Sequence, residues 1–310
     1  MSLESYFTEL IDNQKPLVIS KLTTLSAMPS DLLKLFRKSW PEMTDERRRE
    51  ILCQLTTLAE GDQDLDFNDI FLTGLKDPDE TVRLKSLDGL WEYERSSFIG
   101  LLIDMLKNDK SDLVRAGAAI SLGKFVLLAE FGKLRARDNE RVREALISTI
   151  QNDKEPVDVK RRAVESISCL NLPVVTDVIL KAYKSGDVSM KASALYAMGM
   201  NNDSVWLPIL LKELKNTDPE LRFEAARACG EFEDSQAVPQ LLRLIRDPDS
   251  EVGTAAIISL GKIGGDAAEV ALQECAESHE DYVRDAAADA LKELTFNKDP
   301  FAMDSDSAPF

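Results

Sequence analysis

Histidine is almost missing from this 310-residue chain, with His279 standing alone. Any Ser-His-Asp triad would have to use that one imidazole, and a metal site needing several nitrogen ligands cannot be assembled from it. Cysteine is scarce too. Cys53, Cys169, Cys229 and Cys275 have no close spacing, which excludes a zinc knuckle and a disulfide framework and points to a reducing, cytoplasmic compartment. Phosphate-loop, dinucleotide, nucleophile-elbow and CxxC patterns are all absent. The expectation is therefore a protein with no cofactor and no enzymatic activity. The chain has no long apolar run, and its start carries Glu4, Glu9 and Asp12, so neither a signal peptide nor a membrane span is expected. Basic residues are in deficit, 38 against 55 acidic, for a formal charge of −17. That charge repels phosphate backbones and anionic lipid, which disfavours nucleic-acid and membrane partners and favours solubility or a basic partner. Aromatics make up only 6%. Thin layers filled by Leu, Ile, Val and Ala suit such a composition.

What the chain does have is a repeat. The segment DPELRFEAARACGEF, Asp218 to Phe232, has six relatives; aligned on Arg222 they fall at Arg83, Arg115, Lys160, Lys191, Gly253 and Arg284. Four successive spacings after Lys160 are each 31 residues. The residue before the anchor is always apolar (Val82, Val114, Val159, Met190, Leu221, Val252, Val283). Three after it stand Ser86, Ala118, Ala163, Ala194, Ala225, Ala256 and Ala287, and six after it the column is again small throughout. Seven after it the column is large in most copies, as in Leu90, Leu122, Ile167, Met198, Leu260 and Leu291, with Cys229 in the fifth. These offsets share one stripe of an α-helix, so each segment is an inner helix with a buried face. The small columns let a neighbouring helix come close.

A second amphipathic segment precedes each inner helix, as in LPILLKEL from Leu207 and VPQLLRLI from Val238, and Asp-Pro turns such as Asp77-Pro78, Asp218-Pro219 and Asp247-Pro248 join the two. Proline fits a first helical turn, and aspartate caps its free N–H groups. Each unit is thus a helical hairpin that cannot bury its apolar face alone, and stacking predicts an all-α, right-handed α-solenoid. Residues 1–67 are expected to be an irregular helical cap, 68–296 seven repeats continuous with it, and 297–310 a disordered acidic tail. In the cap, helices are expected over 2–13, from Pro16 to about Leu25, over LLKLFRKSW and over RRREILCQLTTLAE. One join is irregular: about 14 extra residues enter around Val126 to Asn139, and they either lengthen two helices or form a projecting loop.

The order Asp-Pro, apolar-Arg, paired alanines and Leu-Gly, seen in DPDSEVGTAAIISLGKIG from Asp247 to Gly264, resembles the short HEAT-like repeats of the phycobilin-lyase type. The resemblance covers about residues 68 to 295. It implies the solenoid fold, and it leaves function open because such arrays serve as binding scaffolds, lyase subunits, a di-iron hydroxylase and DNA-repair proteins. In deoxyhypusine hydroxylase, built of similar repeats, several His-Glu pairs hold two irons at the starts of inner helices. Here His279-Glu280 is the one such pair; four of the other turns carry an aspartate expected to cap the helix (Asp79, Asp187, Asp218, Asp249), and the remaining two read Lys110-Ser111 and Glu155-Pro156.

If offset three marks the buried side, offsets one and five face out from the inner helices, toward the concave surface of a solenoid. Offset eight, often glycine, would leave room for something to approach. Tyr196, Phe223, Arg227 and Ile258 then form one ridge over three consecutive repeats, and Trp91 and Ile120 are added from the first two. An apolar centre with a polar rim is the composition of an interface. The expected function is a non-enzymatic scaffold binding a protein or peptide on its concave face. The alternative is an enzyme or enzyme subunit related to HEAT-repeat lyases or hydroxylases.

Overall fold

In a computed structural model, which describes residues 3–298, every regular element is helical. The helices fall into two compact units, the first ending at Ala163 and the second beginning at Val164. The first contains α1 (Leu3–Ile11), α2 (Ile19–Leu22), α3 (Ser30–Ser39), α4 (Asp45–Gly61), α5 (Asn68–Gly74), α6 (Glu80–Gly89), α7 (Ser97–Asn108), α8 (Asp112–Glu130) and α9 (Ala136–Gln151), and the division runs through α10 (Val157–Ile167). The second contains α11 (Pro173–Tyr183), α12 (Val188–Asn201), α13 (Leu207–Glu213), α14 (Pro219–Phe232), α15 (Val238–Leu244), α16 (Ser250–Ile263), α17 (Asp266–Ala276) and α18 (Asp281–Lys298).

The turn chemistry acts locally. Asp79, Asp187, Asp218 and Asp249 each accept a backbone N–H of the first turn of α6, α12, α14 and α16. Asp79 is further tied by the Arg49 guanidinium, whose Nε donates to Oδ1 at 3.0 Å, and that bond draws its carboxyl down to about 2.

Packing follows the columns. The residues three after the anchor are wholly buried in all seven repeats, and those just before it are buried as well. A further column, four after the anchor, is equally buried at Leu87, Ala119, Val164, Leu195, Ala226 and Ile257. In the second unit, α12, α14, α16 and α18 pack successively on one another, and each rests on the helix before it, the stacked-hairpin arrangement of an α-solenoid. Three of the glycines eight after the anchor, those of the second unit, are not an open floor, as their size alone suggested. A Cβ on Gly199 would meet Ala228 Cα at 2.9 Å, on Gly230 Ser259 Oγ at 2.7 Å, and on Gly261 Ala290 Cβ at 2.7 Å. They are the points where successive inner helices touch, and only a missing side chain permits that approach.

The anchor column proves to be a ladder between repeats. Arg222 donates from Nε and Nη2 to both oxygens of Asp247 at 2.8 and 2.7 Å, while its Nη1 donates to the carbonyls of Asn216 and Thr217. Arg83 does the same to Asp109 at 2.8 and 2.7 Å, and Arg115 reaches Glu155 at 2.6 Å. Lys191 donates to the buried Glu213 at 2.9 Å. Arg48 of α4 also pairs with Asp77, its Nη2 donating to Oδ1 at 3.1 Å. The ladder therefore starts one helix upstream of the seven recognised repeats. Among the described residues no rung forms at Lys160, and none can form at Gly253, where the following turn also has Ser278 in place of an aspartate.

The cap is aromatic. Tyr6, Phe7 and Leu10 of α1 are buried, Phe7 packs edge-on to Phe36 at 5.6 Å, and Phe36 lies 5.4 Å from Trp40. The Trp40 indole N–H donates to Asp77 at 2.7 Å. The repeats bury aromatics as well, with Phe71, Phe98, Phe125 and Trp206 almost wholly enclosed. The expected helix from Pro16 is only the short α2 followed by a single 3-10 turn. The insertion lengthens α8 and α9, which leave a link of 131–135 between them. Val126 is buried there, but Leu127 and Phe131 are exposed. Helix α18 continues to Lys298, with Leu294 buried; of the expected tail, residues 299–310 lie outside the described residues.

Candidate functional site

Inner helices that bury offsets three, four and seven turn offset five outward, and offset one as well except at the buried Ala192; three of them carry the ridge in the second unit. Tyr196 on α12, Arg227 on α14 and Ile258 on α16 occupy the same register in successive repeats, and Phe223 lies one turn before Arg227. Tyr196 and Phe223 are half-buried, whereas Ile258 is 42% exposed. The Arg227 guanidinium lies over the Tyr196 ring, 4.6 Å from its centroid, and is 3.9 Å from Glu224. Such a stack is worth about 0.5–1 kcal/mol at a wet site and fixes both side chains. Burial pushes the Tyr196 hydroxyl above its ordinary value; Glu165 and Glu224 add to this and Arg227 opposes it. The phenol thus keeps its proton at neutral pH, free to donate a hydrogen bond. Asp285 and Asp289 of α18 are exposed. With helix axes roughly 8–10 Å apart, the ridge extends on the order of 20 Å, the reach of about six extended residues.

In the first unit, Ile120 of α8 is 53% exposed and Trp91, just beyond α6, is 61% exposed. Trp91 opens a loop that sequence reasoning passed over, Trp91-Glu92-Tyr93-Glu94-Arg95, which walls a cleft of about 530 Å³ with Leu65, Phe67 and Phe71. The signal for it was present, because offset eight is glycine in four repeats and tryptophan only here. The loop is held from below. Lys124 Nζ donates to the carbonyls of Leu90 and Trp91 at 2.8 and 2.9 Å, and it lies 5.8 and 5.5 Å from the Phe98 and Phe125 ring centroids. Burial lowers its pKa to about 8, against the pull of Glu94 and Glu92.

A second cleft in the second unit, about 950 Å³, opens between the turn at Arg246-Asp247-Pro248 and the turn at Ser278–Glu280, where the ladder is interrupted. Cys275 lines it, its thiol pushed up by burial, and Cys229 in the core is raised to about 12 for the same reason. Among the described residues, no group of three or more His, Cys, Asp or Glu side chains is placed to hold a metal ion, and no helix is long and apolar enough to cross a membrane.

Residues 207–292 match the family model for HEAT repeats. No curated protein matches the chain in sequence. Among solved structures, yeast importin-β (Kap95p) is similar over 97% of this chain and 47% of its own, with a TM-score of 0.56 and 13% identity. The complex of CpcE and CpcF of phycocyanin lyase from Nostoc sp. PCC7120 aligns over 74% of this chain and 93% of its own, with a TM-score of 0.48 and 19% identity. Human deoxyhypusine hydroxylase aligns over 74% and 96%, with a TM-score of 0.34 and 17% identity. This chain spans about half of the importin-β chain, and at such identity the likeness establishes a shared all-α solenoid fold.

Proposed function

We propose that this chain is a non-enzymatic HEAT-repeat scaffold that binds a protein or peptide segment along the outward face of its inner helices. The observation that carries the reading is the Tyr196–Arg227 stack at 4.6 Å, set at matching register beside the exposed Ile258 and the half-buried Phe223. Tyrosine and arginine are the side chains that most often anchor interfaces, and here each already restrains the other. A pre-ordered anchor loses less entropy on binding than a free one, so the pair suits recognition more than stability. Trp91 and Ile120 provide contacts of the same outward kind in the first unit. The charge of −17 supports a protein partner over nucleic acid or an anionic membrane. Four free cysteines accord with a reducing cytoplasm.

The test compares the native chain with Tyr196→Ala/Arg227→Ala in affinity capture, with retained proteins identified by mass spectrometry and then titrated in purified form. We expect the variant to lose about ten-fold or more in affinity for the identified partner while its melting temperature stays within a few degrees. Equal retention by both forms refutes the ridge as the site, and loss of folding assigns the pair to the core.

A further inference from the structure

The cleft beside Trp91 carries a second, more specific message. Its lining carries Glu92 and Glu94 on one wall, with Arg95 beside them, and Ala59, Gln63, Leu65, Phe67 and Asn68 on the other; Glu60, Asp62, Asp64 and Asp66 alternate with those residues along the chain without being part of the lining. None of these six carboxylates makes an ion pair among the described residues. The two cations nearby are already engaged: Arg95 lies 5.6 Å from the Tyr93 ring centroid, and Lys124 is bound to the carbonyls of Leu90 and Trp91. The acids do not converge on a metal-sized point. What remains is an exposed indole beside the carboxylates of Glu92 and Glu94, which feel Lys124 without pairing with it, on a loop pinned by Lys124 and by Tyr93 packed edge-on to Phe98 at 5.5 Å.

We propose that this cleft takes the arginine side chain of a partner polypeptide, the guanidinium stacked on Trp91 and facing Glu92 and Glu94. A planar cation is attracted to an indole face and forms paired hydrogen bonds to carboxylates, and a pinned loop meets it at little entropic cost. The proposal extends the scaffold reading by naming the chemistry of one contact. It does not depend on the ridge of the second unit, so either can fail while the other stands.

The experiment is calorimetric titration of the full chain with the blocked pentapeptide Gly-Gly-Arg-Gly-Gly and with the same peptide carrying citrulline, a neutral side chain of the same shape. We expect saturable binding of the arginine peptide that weakens with added salt and no measurable binding of the citrulline peptide. Trp91→Ala and Glu92→Gln/Glu94→Gln, all at exposed positions, should each weaken binding by roughly three- to ten-fold with an unchanged circular dichroism spectrum. Equal binding of the citrulline peptide, unchanged affinity in both variants, or no saturable binding of the arginine peptide would each overturn the assignment.

Discussion

The ladder of anchor residues makes a quantitative demand at Arg222. Its guanidinium forms four hydrogen bonds, two to Asp247 at 2.8 and 2.7 Å and one each to the carbonyls of Asn216 and Thr217 at 2.9 and 3.0 Å. The side chains of the pair are 13% and 5% exposed, so little water replaces what a substitution removes. Breaking a buried pair by deleting one partner costs about 3–5 kcal/mol. Asp247 would retain the N–H of Asp249 at 2.9 Å, and the turn borders solvent, so Arg222→Met should cost less, about 2–3 kcal/mol. Asp247→Asn keeps an acceptor oxygen for that N–H and should cost roughly 1–2 kcal/mol, and the double variant should show a coupling of about 1–2 kcal/mol. The assay is urea unfolding of the four proteins of the cycle. A coupling below about 0.5 kcal/mol would refute the ladder as a cohesive element and reduce it to ordinary surface pairing. The pH dependence supplies an independent check. Burial tends to raise the Asp247 carboxyl, but Arg222 and the Asp249 amide outweigh it and hold it below the ordinary value. A depressed carboxyl stabilises the fold above its unfolded pKa and loses that contribution as pH falls through the folded value. The difference between native chain and Arg222→Met should therefore be full near neutrality and shrink in acid.

Two further outcomes follow from the same geometry. Gly261→Ala should destabilise by roughly 1–3 kcal/mol, because its Cβ would lie 2.7 Å from Ala290 Cβ and 2.9 Å from Ala290 Cα and O, and backbone cannot yield as a side chain can; thermal unfolding reads this directly. Asp79, drawn down from 3.8 to about 2, contributes stability that is present above pH 4 and lost between pH 4 and 2, so the gap in unfolding free energy between native chain and Asp79→Asn should close over that interval.

Most of the fold was legible because a solenoid is built from local instructions. A small residue three after each anchor and the capping aspartates at Asp79, Asp187, Asp218 and Asp249 act within one hairpin, so their meaning survives in a linear reading. The ridge of Tyr196, Arg227 and Ile258 was legible for the same reason, since its members share a helical register. The cleft at Trp91 was harder to see. Its walls come from residues 59–71 and 89–95, and nothing in either segment shows that the other lies opposite.

The chain alone determined the helical hairpin, its length of about 31 residues, its buried stripe and its caps, since each depends on neighbours within one or two turns. Tertiary structure decided what crosses between repeats. It turned the anchor arginines into rungs, made contact points of the glycines at Gly199, Gly230 and Gly261, extended the insertion as helix, and carried Arg48 into the ladder ahead of any recognisable repeat. These outcomes depend on the distance between surfaces some 30 residues apart, and stacking sets that distance.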